Sequence, residues 1–279
     1  MVELGLVVSA LASRKITIEM NEDSRLLTSI IGVGKIGEYI SNFLMSNGLR
    51  SVEYGDLNYH TSNSYSLVFI VGLNDAEKYL DRILNFKKTD EHSSLSFLYI
   101  ISDQEIGCKT KKTLTVARKY FDVIIPLSDA DIDLNNLRSI DRIREKVYWS
   151  IFGMVEIANY HGLICVDYAD ICVASRNMGF GSTGHAVSIG NNATTVATYN
   201  ALSSLALTGF DAKLAKGIII SLVTGIDIEV PELEHAASII SNSLPHNAIL
   251  IMGTIIDNTL EAGVRKVILT ATGQTELFA

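Results

Sequence analysis

The sequence predicts an α/β protein: a shortened, Rossmann-like parallel-sheet domain, a long central helix, and a smaller α/β domain after it. Three observations carry that prediction. Short apolar runs alternate with amphipathic helical stretches up to about residue 126, as in a βαβ series. A helical pattern then continues from Asn135 to Tyr160 without a proline and with the single glycine Gly153. Beyond it the order changes, with two helical stretches set among three or four strand-like runs.

In order along the chain, Lys15–Met20 alternates like an edge strand, within a first stretch that is otherwise without a clear pattern. Leu26–Val33 is apolar, is closed by glycines at 32, 34 and 37, and leads into an amphipathic stretch to about Met45. That is a strand, a tight turn and a helix. Leu67–Gly72 is continuously apolar, as a strand covered on both faces must be. A helix over Ala76–Phe86, a strand over Ser96–Ile101, a helix over Lys112–Tyr120 and a strand over Asp122–Pro126 follow. The long helical pattern stops against His161-Gly162. After it, Asn192–Leu207 and Glu232–Leu244 read as helices, and Gly217–Val223, Ala248–Ile255 and Arg265–Thr272 as strands. The expected division is 1–134, 135–161 and 162–279.

Composition narrows the function. The chain has 279 residues, 48% hydrophobic and 19% charged, the profile of a well-packed domain protein. A net charge of −8 argues against nucleic acid as a partner, and the densest basic patch, Lys109, Lys111 and Lys112, is too small to reverse that. The three cysteines (Cys108, Cys165, Cys172) form neither a metal spacing nor an even disulfide set, which fits a reduced, cytoplasmic setting. No apolar run reaches the ~18 residues of a transmembrane helix. Leu4–Ala12 looks like a short signal core, but Glu3 and the lack of a positive charge before it argue against secretion.

The pair most suited to chemistry is Asp167 and Asp170, in a loop about to become a helix. Carboxylates three apart in a first turn share a face at the positive end of the helix dipole. They can polarise a water or meet a basic partner; equally, one of them can simply cap the helix. The Gly32-Val33-Gly34-Lys35-Ile36-Gly37 loop also has two readings, a tight strand–helix turn or an anion site with Lys35 beside it. Gly179-Phe180-Gly181-Ser182-Thr183-Gly184 has a phosphate-loop composition but follows no βα turn of the first domain, so it reads as a strand edge and turn. His185, His235 and His246 have no metal-ligand spacing.

Several stretches together resemble FtsZ, the bacterial tubulin homologue. Leu163–Asp170, Met178–Gly181, Lys216–Gly225 and Val267–Gly273 resemble its C-terminal half, continuously from about Arg144 to Gly273. Ile30–Gly34, Asn47–Leu49 with Val52–Tyr54, and Leu67–Ile70 stand in the order of its N-terminal half. The resemblance implies an FtsZ/tubulin-like fold whose subunits stack head to tail. It implies a guanine nucleotide held by glycine-rich loops on one subunit and completed by acidic residues of the next. Asp167 and Asp170 match those two acidic positions, which implies a catalytic role in trans, and Cys165 stands where the family has an asparagine. Cofactor-binding positions implied by the same resemblance are Gly32, Gly34, Lys35, Gly37, Asn58, Gly72 and Glu145.

The departures set the functional expectation. The family's phosphate loop needs glycines so that its backbone can approach the ligand. Here the strand runs into Gly72-Leu73-Asn74-Asp75-Ala76-Glu77, and two carboxylates beside a polyphosphate repel it. Only Tyr59–Ser66 stands where the family has several dozen residues. The leading expectation is an FtsZ-like protein that has lost ordinary GTP hydrolysis. It would act by longitudinal stacking on itself or on another FtsZ-type protein, as a filament modulator, end-cap or non-hydrolysing subunit. No cofactor is expected, and GTP or GDP is the nucleotide if one binds. A divergent active GTPase forming homofilaments and a nucleotide-independent scaffold are the alternatives. The chain closes just past its last strand, so neither membrane insertion nor a membrane-tethering tail is expected.

Overall fold

The computed structural model describes residues 28–46, 49, 52–55, 65–89, 95–102, 108–128, 140–154, 156–160 and 162–277. The expected edge strand at Lys15–Met20 and the candidate Asn58 lie outside them. The chain forms two compact units. Of the described residues, one holds those within Arg25–Tyr148, Ser175–Ser182 and Thr272–Ala279, and the other those within Trp149–Ala174 and Thr183–Ala271.

The N-terminal unit is a parallel βα series. Its strands are β1 (Thr28–Val33), β2 (Val52–Gly55), β3 (Ser66–Gly72), β4 (Leu95–Ser102) and β5 (Val123–Ser128), in the order β2-β1-β3-β4-β5. Its helices are α1 (Gly34–Ser46), α2 (Leu73–Thr89) and α3 (Cys108–Ala117). Every residue of β3 and β4 is buried, which is why these strands are continuous apolar runs rather than alternating ones. Phe69 on β3 stands edge-on to both Phe86 and Phe121, with centroids 5.7 and 5.6 Å away. Asp122 ties the far side of the sheet together. Its buried carboxylate accepts Ser96 N and Ser96 Oγ, each at 2.9 Å, and Asn177 N at 3.0 Å. It thereby fixes the turn that leads Gly179 and Phe180 into register with Val123 and Ile124.

The helix α4 (Asp141–Met154) carries the chain from this unit into the other. The helical pattern expected from Asn135 to Tyr160 is realised as α4 followed by a 3₁₀ turn, Glu156–Asn159, and residues 135–139 lie outside the described ones. Ser221 Oγ donates to the Gly153 carbonyl at 2.6 Å, so the sheet satisfies one of the acceptors that a helix end leaves free.

The C-terminal unit contains α5 (Tyr168–Ser175), most of β6 (Gly179–Ile189), α6 (Ala193–Ala206), β7 (Gly217–Thr224), α7 (Val230–Ser241), β8 (Ile249–Ile256) and β9 (Val264–Gln274). Its strands lie in the order β6-β9-β7-β8, with β7 and β8 parallel. Gly153 of α4 packs on β9, where a Cβ would stand 2.5 Å from Ile268 Cγ2. Gly179–Gly184, expected to end in a turn, is strand throughout. Gly184 faces the α6 backbone so closely that a Cβ would stand 2.5 Å from Leu205 N, so close helix–strand packing places that glycine. No helix among the described residues is long and apolar enough to cross a membrane.

Candidate functional site

The sheet order of the N-terminal unit turns back between β1 and β3. In sheets of this kind the usual ligand crevice lies beyond the carboxyl ends of the strands at such a turning point. The two turns that meet there, β1 to α1 and β3 to α2, carry Gly32, Gly34, Lys35, Gly37 and Gly72.

Several close contacts of the chain lie at this position. Gly72 ends β3 and Leu73 opens α2, with no residue between them. Ile36 lies over the turn, its Cγ1 3.0 Å from where a Cβ of Gly72 would be. Gly34 has φ +70°, and a Cβ there would stand 2.5 Å from Asp75 Oδ2. Gly37 lies on the Ile70 carbonyl, and Gly32 faces Gly37 and Ser41 Oγ. Close packing of α1 on β1 and β3 is sufficient by itself to require glycine at 32 and 37. Lys35 is exposed, as is Glu145 on α4. The neighbouring turn of α4 is joined to α1: Tyr39 Oη donates to Asp141 at 3.3 Å, Arg144 donates to Tyr39 at 3.2 Å, and Arg144 stacks 4.3 Å above the Phe43 ring.

Asp167 and Asp170 stand at the start of α5. Asp170 N donates to Asp167 Oδ1 at 2.8 Å, and Asp167 N donates to Asp170 Oδ2 at 3.1 Å. This is a reciprocal capping box written with two aspartates. Both residues are exposed, and each commits one carboxylate oxygen to the box. The preceding loop is pinned to β8. Ile164 N donates to Thr254 Oγ1 and Thr254 N donates to the Ile164 carbonyl, both at 2.9 Å, while Val166 is buried against Gly253. Leu163, Ile164, Cys165 and Val173 remain exposed around the pair. The result is a rigid acidic point in an apolar surround.

Residues 175–275 match the FtsZ family, C-terminal domain. The cell division protein FtsZ of Wigglesworthia glossinidia brevipalpis is 29% identical over 124 residues, covering 44% of this chain and 32% of that protein. The match thus spans about a third of the relative's length. The empty FtsZ dimer of M. jannaschii has a TM-score of 0.74 at 17% identity, over 90% of this chain and 89% of that one. CetZ2 from Haloferax volcanii, solved as a GTPγS-bound protofilament, has a TM-score of 0.65 at 13% identity, over 88% and 92%. The fold is FtsZ/tubulin-like, and over residues 175–275 the chain is similar to the FtsZ C-terminal domain. The family match covers β6 to β9; the crevice and the Asp167/Asp170 box lie before it.

Within the matched region, a cleft of about 670 Å³ is lined by residues at the starts of α6, α7 and β9 and in the loops before them, among them Asn192, Thr194, Asp227, Glu232, His235 and Arg265. Sequence reading missed it. Arg265, 4% exposed, donates to both oxygens of Asp227 at 3.2 Å and reaches Glu232 at 3.3 Å. Burial opposes the charge on Asp227, but the Gly263 N–H and the Arg265 guanidinium outweigh it and hold this carboxyl below the usual range. Burial opposes the charge on Glu232 too, and the Thr194 hydroxyl, Arg265 and Glu229 N–H overcome it in the same direction. These groups satisfy one another, so the cluster locks loops rather than waiting for a ligand. One part of it was visible in advance: Glu229 and Glu232, three apart around Pro231, form the capping box of α7.

Proposed function

We propose that this FtsZ-like protein acts on FtsZ-type filaments through the Asp167/Asp170 surface, as a modulator, end-cap or non-hydrolysing subunit, without ordinary GTP turnover of its own. The observation that carries the reading is the direct passage of β3 into α2 at the switch point. A strand that passes into its helix without an intervening residue has no loop with which to cradle phosphate, and Ile36 covers the turn. The acidic box, by contrast, is rigid, exposed and keeps an uncommitted oxygen on each carboxylate. An acidic loop that completes a neighbour's site needs those properties. Such a subunit docks by one face and offers the next subunit no phosphate loop, which stops or alters growth. Protofilament assembly by the relative CetZ2 makes longitudinal contact the natural mode.

Calorimetric titration of the purified protein with GTP should give no binding heat. Adding it below equimolar ratio to a polymerising FtsZ should change light scattering and sedimentable polymer. Micromolar GTP affinity with turnover by the protein alone overturns the proposal.

A further inference from the structure

We infer that two copies of this chain associate about a two-fold axis at Ile251, by antiparallel pairing of the β8 edges of their C-terminal units. This contact is separate from the Asp167/Asp170 surface at α5.

The strand β8 ends its sheet, with β7 on one side and, among the described residues, no strand on the other. Its parallel register with β7 runs one to one from Gly217 and Ile249 to Thr224 and Ile256, without a bulge. Ile249 N donates to the Lys216 carbonyl and Asp257 N to the Thr224 carbonyl, both at 2.8 Å. Odd-numbered residues therefore turn their backbone groups toward β7, while Leu250, Met252 and Thr254 turn theirs outward. Thr254 bears this out, since its outward N–H donates to the Ile164 carbonyl at 2.9 Å and Gly162 lies against its C=O. The loop before α5 thus covers the far end of the edge. Among the described residues, nothing takes the outward N–H and C=O groups of Leu250 and Met252.

Open edges are normally blunted by a charge, a proline or a bulge. Ile249-Leu250-Ile251-Met252-Gly253 has none of these, and its first four residues are only half-buried. Two features of the edge point to a second copy of the same strand as its cover. The free span is short, closed at one end by the Pro245–Ala248 turn and at the other by the Ile164 bridge, and its outward groups are symmetric about Ile251. Turned end for end, the same segment sets Leu250 opposite Met252 and Met252 opposite Leu250. Both are hydrogen-bonded pairs, so the four outward N–H groups of the two copies meet their four outward carbonyls. Ile251 then faces its own copy as an apolar cross-strand pair. The second feature is charge. In a chain of net charge −8, an uncharged strand is a place where two copies meet without opposing like charges. A contact of this kind is self-complementary and closes at two subunits.

Sedimentation velocity of the full chain across about 1–300 μM should show monomer passing to dimer, because so small a contact gives a weak, reversible complex. Ile251→Lys and Ile251→Glu should each weaken dimerisation by about tenfold or more, since like charges then oppose each other across the axis, and an equimolar mixture of the two should dimerise again. Met252→Pro removes an outward N–H that the monomer does not use, so it should fold, by far-ultraviolet circular dichroism, and stay monomeric. In wild type, amide hydrogen exchange at Leu250 and Met252 should slow as the dimer forms. The double variant Asp167→Asn with Asp170→Asn should dimerise like wild type. A wild type that stays monomeric, unchanged exchange at those two amides in the dimer, a folded Met252→Pro that dimerises, or a mixture no more associated than its components overturns the inference. Loss of the dimer in the double aspartate variant also overturns it, by assigning self-association to the acidic face. If the substituted chains do not fold, the wild-type exchange decides by the same outcomes.

Discussion

Gly37→Ala separates packing from ligand binding at the first glycine loop. A methyl at this position is driven into the Ile70 carbonyl oxygen and stands 3.1 Å from both Ile70 C and Gly32 C. Those atoms are backbone of β3 and β1, so no side chain can rotate away, and α1 must lift from the sheet. Overpacking of that kind costs about 3 kcal/mol at its upper end. Replacing glycine by alanine inside a helix returns about 1 kcal/mol of propensity. The net expectation is about 2 kcal/mol of destabilisation, which lowers the melting temperature by roughly 4–8 °C. Thermal and urea unfolding followed by far-ultraviolet circular dichroism would read it, with the nucleotide content of both proteins measured alongside. If Gly37→Ala melts at or above wild type, the packing argument fails. If it also removes a bound nucleotide that wild type carries, the glycine belongs to a ligand site after all.

Other substitutions test the remaining pieces. Asp122→Ala leaves the backbone N–H groups of Ser96 and Asn177 without their acceptor, which should cost about 3–4 kcal/mol in urea unfolding; a loss under 1 kcal/mol would show that water replaces the carboxylate. At the α5 start, Asp170→Ala should cost about 1 kcal/mol by loss of a cap. Asp167→Asn with Asp170→Asn keeps the acceptors and removes the charge, so it should leave the melting temperature nearly unchanged while abolishing any effect on partner polymerisation; an unaltered effect removes the acidic face from the mechanism. Asp227 and Glu232 are both held below their usual carboxyl range. Their contribution is therefore complete above the unfolded values of about 3.9 and 4.3 and is lost as pH falls through the lower folded values. In Arg265→Met the stability loss below about pH 4 should be shallower than in wild type, and an identical acid limb would refute the coupling.

Strands were the most legible part of the sequence, because β3, β4 and β7 are buried along their whole length and are therefore mostly apolar, with their few serines and threonines buried as well. Helix ends were less so. The expected start of α2 at Ala76 fell after the first residues of the helix, since Leu73-Asn74-Asp75 carries no amphipathic repeat. Gly179–Gly184 reads in the sequence as a strand edge and turn, because a glycine packed under a crossing helix, as Gly184 is, and a glycine in a turn are the same letter. Asp167 and Asp170 were visible from spacing, and so was the capping alternative that the structure realises. The Arg265 cluster was not, for it joins the starts of α6, α7 and β9 through side chains whose pairing depends on β9 lying beside β7.

Capping and recognition are not rival readings of the acidic residues. A capping box takes one oxygen from each carboxylate and, in doing so, fixes where the other points. At α5 that leaves two oriented oxygens on an exposed turn, pre-organised for a neighbour's water or a neighbour's cation. At α7 the same device is closed, because Arg265 and Thr194 take the remaining acceptors of Glu232. The two boxes thus use carboxylates of this chain for two ends: one locks loops, and the other is left open. Of these two, only the box at α5 keeps oxygens for something outside the molecule, and that asymmetry favours a protein that completes a neighbour's chemistry over one that carries out its own.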